Sequence, residues 1–139
     1  MTALDLTSDW PVPHVSAAVL HAGHVVATIG DVDRVQRLAS ISKPMTAWAI
    51  LVAVEEGLVQ LDGPVGQPGC TTRHLLSHAG GYPFDGPEPI ARPETTRIYS
   101  NSGIELAAQT AASEADLGFA TYIREALFDP LAMTSTTLH

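Results

Sequence analysis

Apolar and polar positions follow three rhythms along this chain, and each predicts a different element. Residues 15–20, VSAAVL, and 24–29, HVVATI, are short, mostly apolar runs separated by His21-Ala22-Gly23. They read as two strands of a hairpin with the glycine in its turn. Strands apolar on both faces are expected to be covered on both. From Ser40 to Glu56 the rhythm changes. Ala47 to Val54 leave no polar face, and Gly57 follows at a helix-ending position. This predicts a central buried helix. Proline disfavours helical geometry at the residue before it, so the regular helix is expected to begin at Pro44, after a tight turn carrying Ser40 to Lys43.

Residues 71–78, TTRHLLSH, form a short predicted helix with a threonine cap, stopped by Gly80-Gly81. Residues 80–97 hold four prolines and three glycines and read as one long loop, the kind that is often functional inside a domain. Ser102-x-x-Glu105 has the capping-box pattern and predicts a helix to about Ser113. Asp116 is expected to cap the last helix. There Phe119, Tyr122, Ile123, Ala126 and Leu127 make an apolar stripe that ends at Asp129-Pro130.

Composition narrows the function classes. The 139 residues suit a single domain spanning 1–139, and 45% hydrophobic with 16% charged residues marks a globular chain. A net charge of −8 with no cluster of Lys and Arg argues against nucleic acid or an anionic membrane as partner. The longest apolar run, residues 47–54, is too short to span a bilayer. The first residues lack the charge and apolar core of a secretory signal, so a cytoplasmic location is expected. The lone cysteine, Cys70, reads as a small buried hydrophobe.

Two weak motifs carry the chemistry. The only lysine, Lys43, lies three residues after Ser40, which puts both side chains on one face of a helical turn. A serine hydroxyl needs a group to take its proton, and a desolvated lysine can do so. Alone, S-x-x-K is far more often a helix cap followed by a surface lysine. Tyr99-x-Asn101 precedes the third predicted helix. A phenol near an ammonium can shuttle a proton, and an asparagine amide can hold a substrate carbonyl. His74 and His78 have metal-pair spacing without an evident third ligand, and no metal or other cofactor is expected. Glu55-Glu56 reads as a solvated helix end. The chain has no G-x-S-x-G, the mark of an α/β-hydrolase nucleophile.

Taken in order, four segments resemble the serine β-lactamase and penicillin-binding protein superfamily, in the branch of class C β-lactamases, D-Ala-D-Ala carboxypeptidases and related esterases. ASISKPMTAWAILVAVEEGLVQLDGPV resembles the nucleophile helix and its exit. TTRHLLSHAGG resembles the short helix and glycine turn, IYSNSGIELAA the tyrosine motif, and YIREALFDPLAMTSTTLH the later helix. The resemblance implies an α+β, β-lactamase-like fold, a helical region packed on an antiparallel sheet. It implies Ser40 as acylated nucleophile with its own N–H in the oxyanion hole, Lys43 as proton acceptor and Tyr99 as partner acid/base. Asn101 would contact substrate and lysine. The substrate would be a small ester or amide.

The family's third motif, Lys-Thr-Gly or His-x-Gly on a late strand, has no counterpart after Asn101. His21-Ala22-Gly23 and His78-Ala79-Gly80 match it in the wrong order, and neither is assigned a catalytic role. The family's C-terminal strands are also missing. A longer protein, favoured here, would supply them; the alternatives are a second chain or a homodimer completing the sheet. The competing functional reading is a non-catalytic, incomplete family member acting as a binding or assembly partner.

Overall fold

The computed structural model describes residues 3–138 and divides into two compact units, one ending at Arg37 and the other beginning at Leu38. The first unit is a hairpin with a short helix. A 3₁₀ helix, Ala3–Thr7, packs against both β1 (Ala17–His21) and β2 (His24–Ile29). The strands pair antiparallel from Ala17 opposite Ile29 to His21 opposite His24, with a bulge between Val19 and Leu20. The connection is a two-residue turn, Ala22-Gly23, one residue shorter than His21-Ala22-Gly23. Both its residues have positive φ, 49° and 80°. That is the turn whose twist matches a hairpin. Gly30 is obligatory, because a Cβ there would run into the Val15 carbonyl. Coverage of both strand faces is not met among the described residues: Leu20, Val25 and Val26 are each at least 59% exposed.

The second unit is helical. A single 3₁₀ turn, Ala39–Ile41, leads directly into α1 (Ser42–Glu55). The helix therefore starts two residues before Pro44. Proline is accommodated there because the first-turn N–H groups of a helix have no intrahelical acceptor to lose. α2 spans Thr72–Leu76, α3 Asn101–Glu114 and α4 Phe119–Ile123, and α4 runs on into one π-helical turn, Arg124–Phe128.

The ends of these helices share one device. After α1, Gly57 takes φ +78°, its N–H goes to the Val54 carbonyl, and the Leu58 N–H reaches back to Ala53. This satisfies carbonyls that a helix end would otherwise leave unpaired. The same pattern recurs after α2 with His78 (φ +60°) and after α3 with Asp116 (φ +53°). Asp116 thus closes α3 instead of capping α4, whose N-cap is Gly118. Likewise His78 stops α2, ahead of the two glycines.

α1 buries Thr46, Ala49, Ile50 and Ala53 on one face, while Trp48 and Leu51 are exposed on the other. An all-apolar helix is thus only half covered here, in contrast to the burial its composition suggests. Its buried alanines share a core with Ala107 and Ala111 of α3, together with Cys70, Leu75, Ile123, Leu127 and Phe128. Small side chains at such a crossing let two helices approach closely. Cys70 is buried, as a small hydrophobe should be, and burial pushes its thiol up from the ordinary value.

Glu56 is more than a solvated helix end. Its carboxylate accepts a 2.8 Å hydrogen bond from the buried Tyr122 hydroxyl. Burial and this carboxylate both push the Tyr122 phenol well above its usual range. The unfolded chain therefore releases the Cys70 and Tyr122 protons before the folded chain does, so stability should be intact at neutral pH and fall as pH rises through 9 and beyond. Tyr122→Phe should cost about 1 kcal/mol at neutral pH and reduce this alkaline loss, measured by urea unfolding at neutral and alkaline pH. An alkaline loss unchanged by the substitution would contradict the assignment.

Candidate active site

Two helix starts meet at the candidate site. The turn before α1 presents Ser40, and Lys43 follows in the first turn of the helix. The Lys43 Nζ donates to the Ser40 Oγ at 3.1 Å. The residue before Ser40, Ala39, is held at φ +48°, a conformation that side-chain-bearing residues rarely adopt. The Ser42 hydroxyl donates to the Ala39 carbonyl at 2.7 Å and so braces this turn. Pro44 has no N–H to offer the Ser40 carbonyl, which frees the turn from the regular helical ladder.

Tyr99 comes from the extended segment before α3. Lys43 Nζ lies 4.9 Å from the centre of the Tyr99 ring, within cation–π range. Hydrogen bonding to Ser40 is the main cause that draws the Tyr99 phenol below its ordinary value; partial burial opposes it, and hydrogen bonding to Lys43 and the lysine's charge add to it. Two rings flank the phenol ring: His78 with centroids 4.7 Å apart, and Phe84 at 6.0 Å.

Asn101 opens α3. Its backbone N–H goes to the Phe84 carbonyl at 2.9 Å, and its side-chain amide donates to the Asp85 carboxylate at 2.9 Å. Among the described residues no hydrogen bond joins Asn101 to Lys43, the lysine contact that the resemblance implied. One amide N–H is taken by Asp85, and a side-chain amide has a second.

The cap of α3 is Ser100, in place of the expected Ser102. The Ser100 backbone is extended. Its buried hydroxyl accepts from the Gly103 N–H at 2.8 Å and donates to the Pro83 carbonyl at 2.7 Å. Ser102 lies inside the helix, and Glu105 is exposed. The long loop is tied back at many points. The Gln67 amide donates to the Gly80 and Ala91 carbonyls, and the Glu94 N–H reaches the Ala79 carbonyl.

The two histidines at metal-pair spacing, His74 in α2 and His78 beyond its end, are engaged separately. His74 closes a capping box. Its Nδ1 accepts from the Thr71 N–H at 3.2 Å, and its Nε2 lies 3.0 Å from Glu94. His78 Nδ1 instead accepts from the Ser100 N–H at 3.1 Å. Phe84, Asp85 and His78 all bear on the site. The first two sit in a loop without periodicity, where pattern reading has nothing to grip. His78 is visible in the sequence as half of a histidine spacing and as the start of an out-of-order His-x-Gly match, neither of which points to Tyr99.

These features fall within a known class. The Beta-lactamase family model matches residues 8–139, and the chain belongs to that family. A β-lactamase from Mycobacterium bovis is 47% identical, with 99% of this chain covering 50% of that one at a TM-score of 0.92. An octameric penicillin-binding protein homologue from Pyrococcus abyssi shares the fold at 22% identity, with 94% of this chain, 41% of that one and a TM-score of 0.73. Penicillin-binding protein 4* of Bacillus subtilis is 27% identical over 73% of this chain and 30% of its own length. The chain thus spans half or less of the length of each of these relatives. The α+β fold expected from the sequence is the family's, here with a two-stranded sheet. Among the described residues no helix is long and apolar enough to cross a membrane.

Ser100→Ala removes the α3 cap and leaves the Pro83 carbonyl without its donor. It should cost about 1–3 kcal/mol, read from chemical unfolding, whereas Ser102→Ala should fall within about 0.5 kcal/mol of the parent. Equal costs would contradict the cap assignment.

Proposed function

We propose that this chain carries the acylating centre of a serine hydrolase that acts on an ester or amide carbonyl. The observation that carries the reading is the 3.1 Å contact of Lys43 Nζ with Ser40 Oγ beside the Tyr99 ring. Ser40 Oγ attacks the carbonyl carbon and forms a tetrahedral oxyanion. The serine proton passes to the Lys43–Tyr99 pair, which then donates it to the leaving oxygen or nitrogen. Water then hydrolyses the acyl-enzyme and regenerates Ser40.

The two basic groups act as a unit. An ammonium beside a phenol favours the phenolate, and a phenolate favours the ammonium. With both protons in place the pair cannot accept a third, so one must leave before Ser40 can be deprotonated. The Tyr99 phenol is drawn down, so acylation should rise with pH through a limb below the ordinary phenol value of 10.0. In this reading Asn101 places its remaining amide N–H toward the substrate carbonyl.

A second reading, a non-catalytic family member that assembles with a partner, draws on the exposed apolar residues of the hairpin. A second copy or another chain would then complete the sheet.

The intact mass of the chain after incubation with p-nitrophenyl acetate or a penicillin separates the two readings. The acylation reading expects one covalent adduct, absent in Ser40→Ala. Tyr99→Phe should slow its formation by about 10²–10⁴-fold and flatten its alkaline limb. A folded chain that forms no Ser40 adduct would favour the partner reading.

A further inference from the structure

We infer that His78 is the positioning residue of the tyrosine segment, and that its neutral imidazole holds Tyr99 in register with Ser40 and Lys43. The inference rests on the proposed acylation at Ser40 only for its effect on rate. The hydrogen bonds that carry it stand apart from that reading.

The backbone N–H groups on either side of Tyr99 both end on this one residue. The Ile98 N–H goes to the His78 carbonyl at 2.9 Å, and the Ser100 N–H goes to the His78 Nδ1 at 3.1 Å. Between these two anchors the Tyr99 ring lies 4.7 Å from the imidazole. The same residue ends α2 with φ +60°. Glycine or asparagine is the low-cost occupant of such a position, and a histidine there carries a backbone cost. The imidazole returns an acceptor for a buried cap residue. Ser100 is 3% exposed, so its N–H, if left unpaired, would cost the desolvation of that group.

An Nδ1 that accepts must carry no proton, so the clamp exists only in neutral His78. Burial is the main cause that lowers the His78 pKa below its usual value, with the positive charges of Arg97 and Lys43 adding to it. The Asp85 carboxylate accepts from the Asn101 amide and the Glu94 carboxylate lies against His74 Nε2, and among the described residues neither is hydrogen-bonded to the His78 ring. Tyr99 is the other titratable group against the ring, and it is neutral in the acid range. Acid therefore converts the Nδ1 acceptor to a donor facing the Ser100 N–H, and the segment loses one of its two anchors. The loss sets in only below the ordinary histidine range of about 6.5.

The test uses the full chain, His78→Ala and His78→Asn. Asparagine tolerates the left-handed backbone and offers an amide oxygen near the Nδ1 position, but it does not titrate. Amide NMR across the acid range should show the Ser100 signal moving with the imidazole in the parent and flat in His78→Asn. Ultraviolet titration, with Tyr99→Phe as the blank, should find the Tyr99 phenol ionising at lower pH in the parent and His78→Asn than in His78→Ala. Ser40 adduct formation should fall about 100-fold in His78→Ala. In His78→Asn it should stay within a few-fold and lose its acid limb. If the parent forms no Ser40 adduct, the acylation reading fails, and the amide and phenol readouts still decide on His78. If His78→Ala does not fold, His78→Asn decides. A Ser100 amide that ignores the imidazole, or a Tyr99 ionisation unchanged in folded His78→Ala, would overturn the inference.

Discussion

The close packing of α1 on α3 is the constraint on which the rest of the second unit depends. Ala49 and Ala53 on one helix, and Ala107 and Ala111 on the other, are all at most 1% exposed within one core. Small buried side chains let two helices pack closely, and a densely packed core leaves little room for adjustment. Both helices have the candidate site residues at their N-terminal ends. The Ser40 to Lys43 turn leads into α1, and α3 begins just after Tyr99. Packing the bodies of the helices brings two segments more than fifty residues apart to the same place. α2 and the loop after it then fix the tyrosine segment, through His78 and the Pro83 to Asp85 backbone.

What could be read from sequence follows from how local each signal is. The hairpin and the end of α1 at Gly57 come from glycine and apolar runs within a few residues, and they were legible. The threonine cap of α2 was legible for the same reason. The helix ends at His78 and Asp116 were not, because those residues take a glycine-like conformation that their side chains disfavour. At His78 the return comes from a partner more than twenty residues away. The α3 cap failed in a similar way. Ser100 and Ser102 look equally suitable in the chain, and only the Pro83 carbonyl, from the loop, favours Ser100.

The candidate site was legible as residue types and order. The sequence marks Ser40, Lys43, Tyr99 and Asn101, and the first three lie together. Their surroundings were not legible. The Asp85 carboxylate accepts a hydrogen bond from the Asn101 amide, and Phe84 and His78 frame the phenol. The expectation of a fully buried α1 also failed, because composition measures how apolar a helix is and cannot say what covers it. Trp48 and Leu51 stand exposed on this helix, as Leu20, Val25 and Val26 do on the hairpin. The chain matches at most half the length of the relatives described above.

The central proposal is that Lys43 and Tyr99 meet beside Ser40, where hydrogen bonding to Ser40 and the lysine together draw the Tyr99 phenol down. Lys43 is the only lysine in the chain, so labelling lysine with ¹⁵N gives a single side-chain signal to follow. The account predicts a step in that signal where the Tyr99 phenol ionises. The step should disappear in Tyr99→Phe, and the signal should shift in Ser40→Ala. A lysine signal with the same pH profile in the parent and both variants would contradict it.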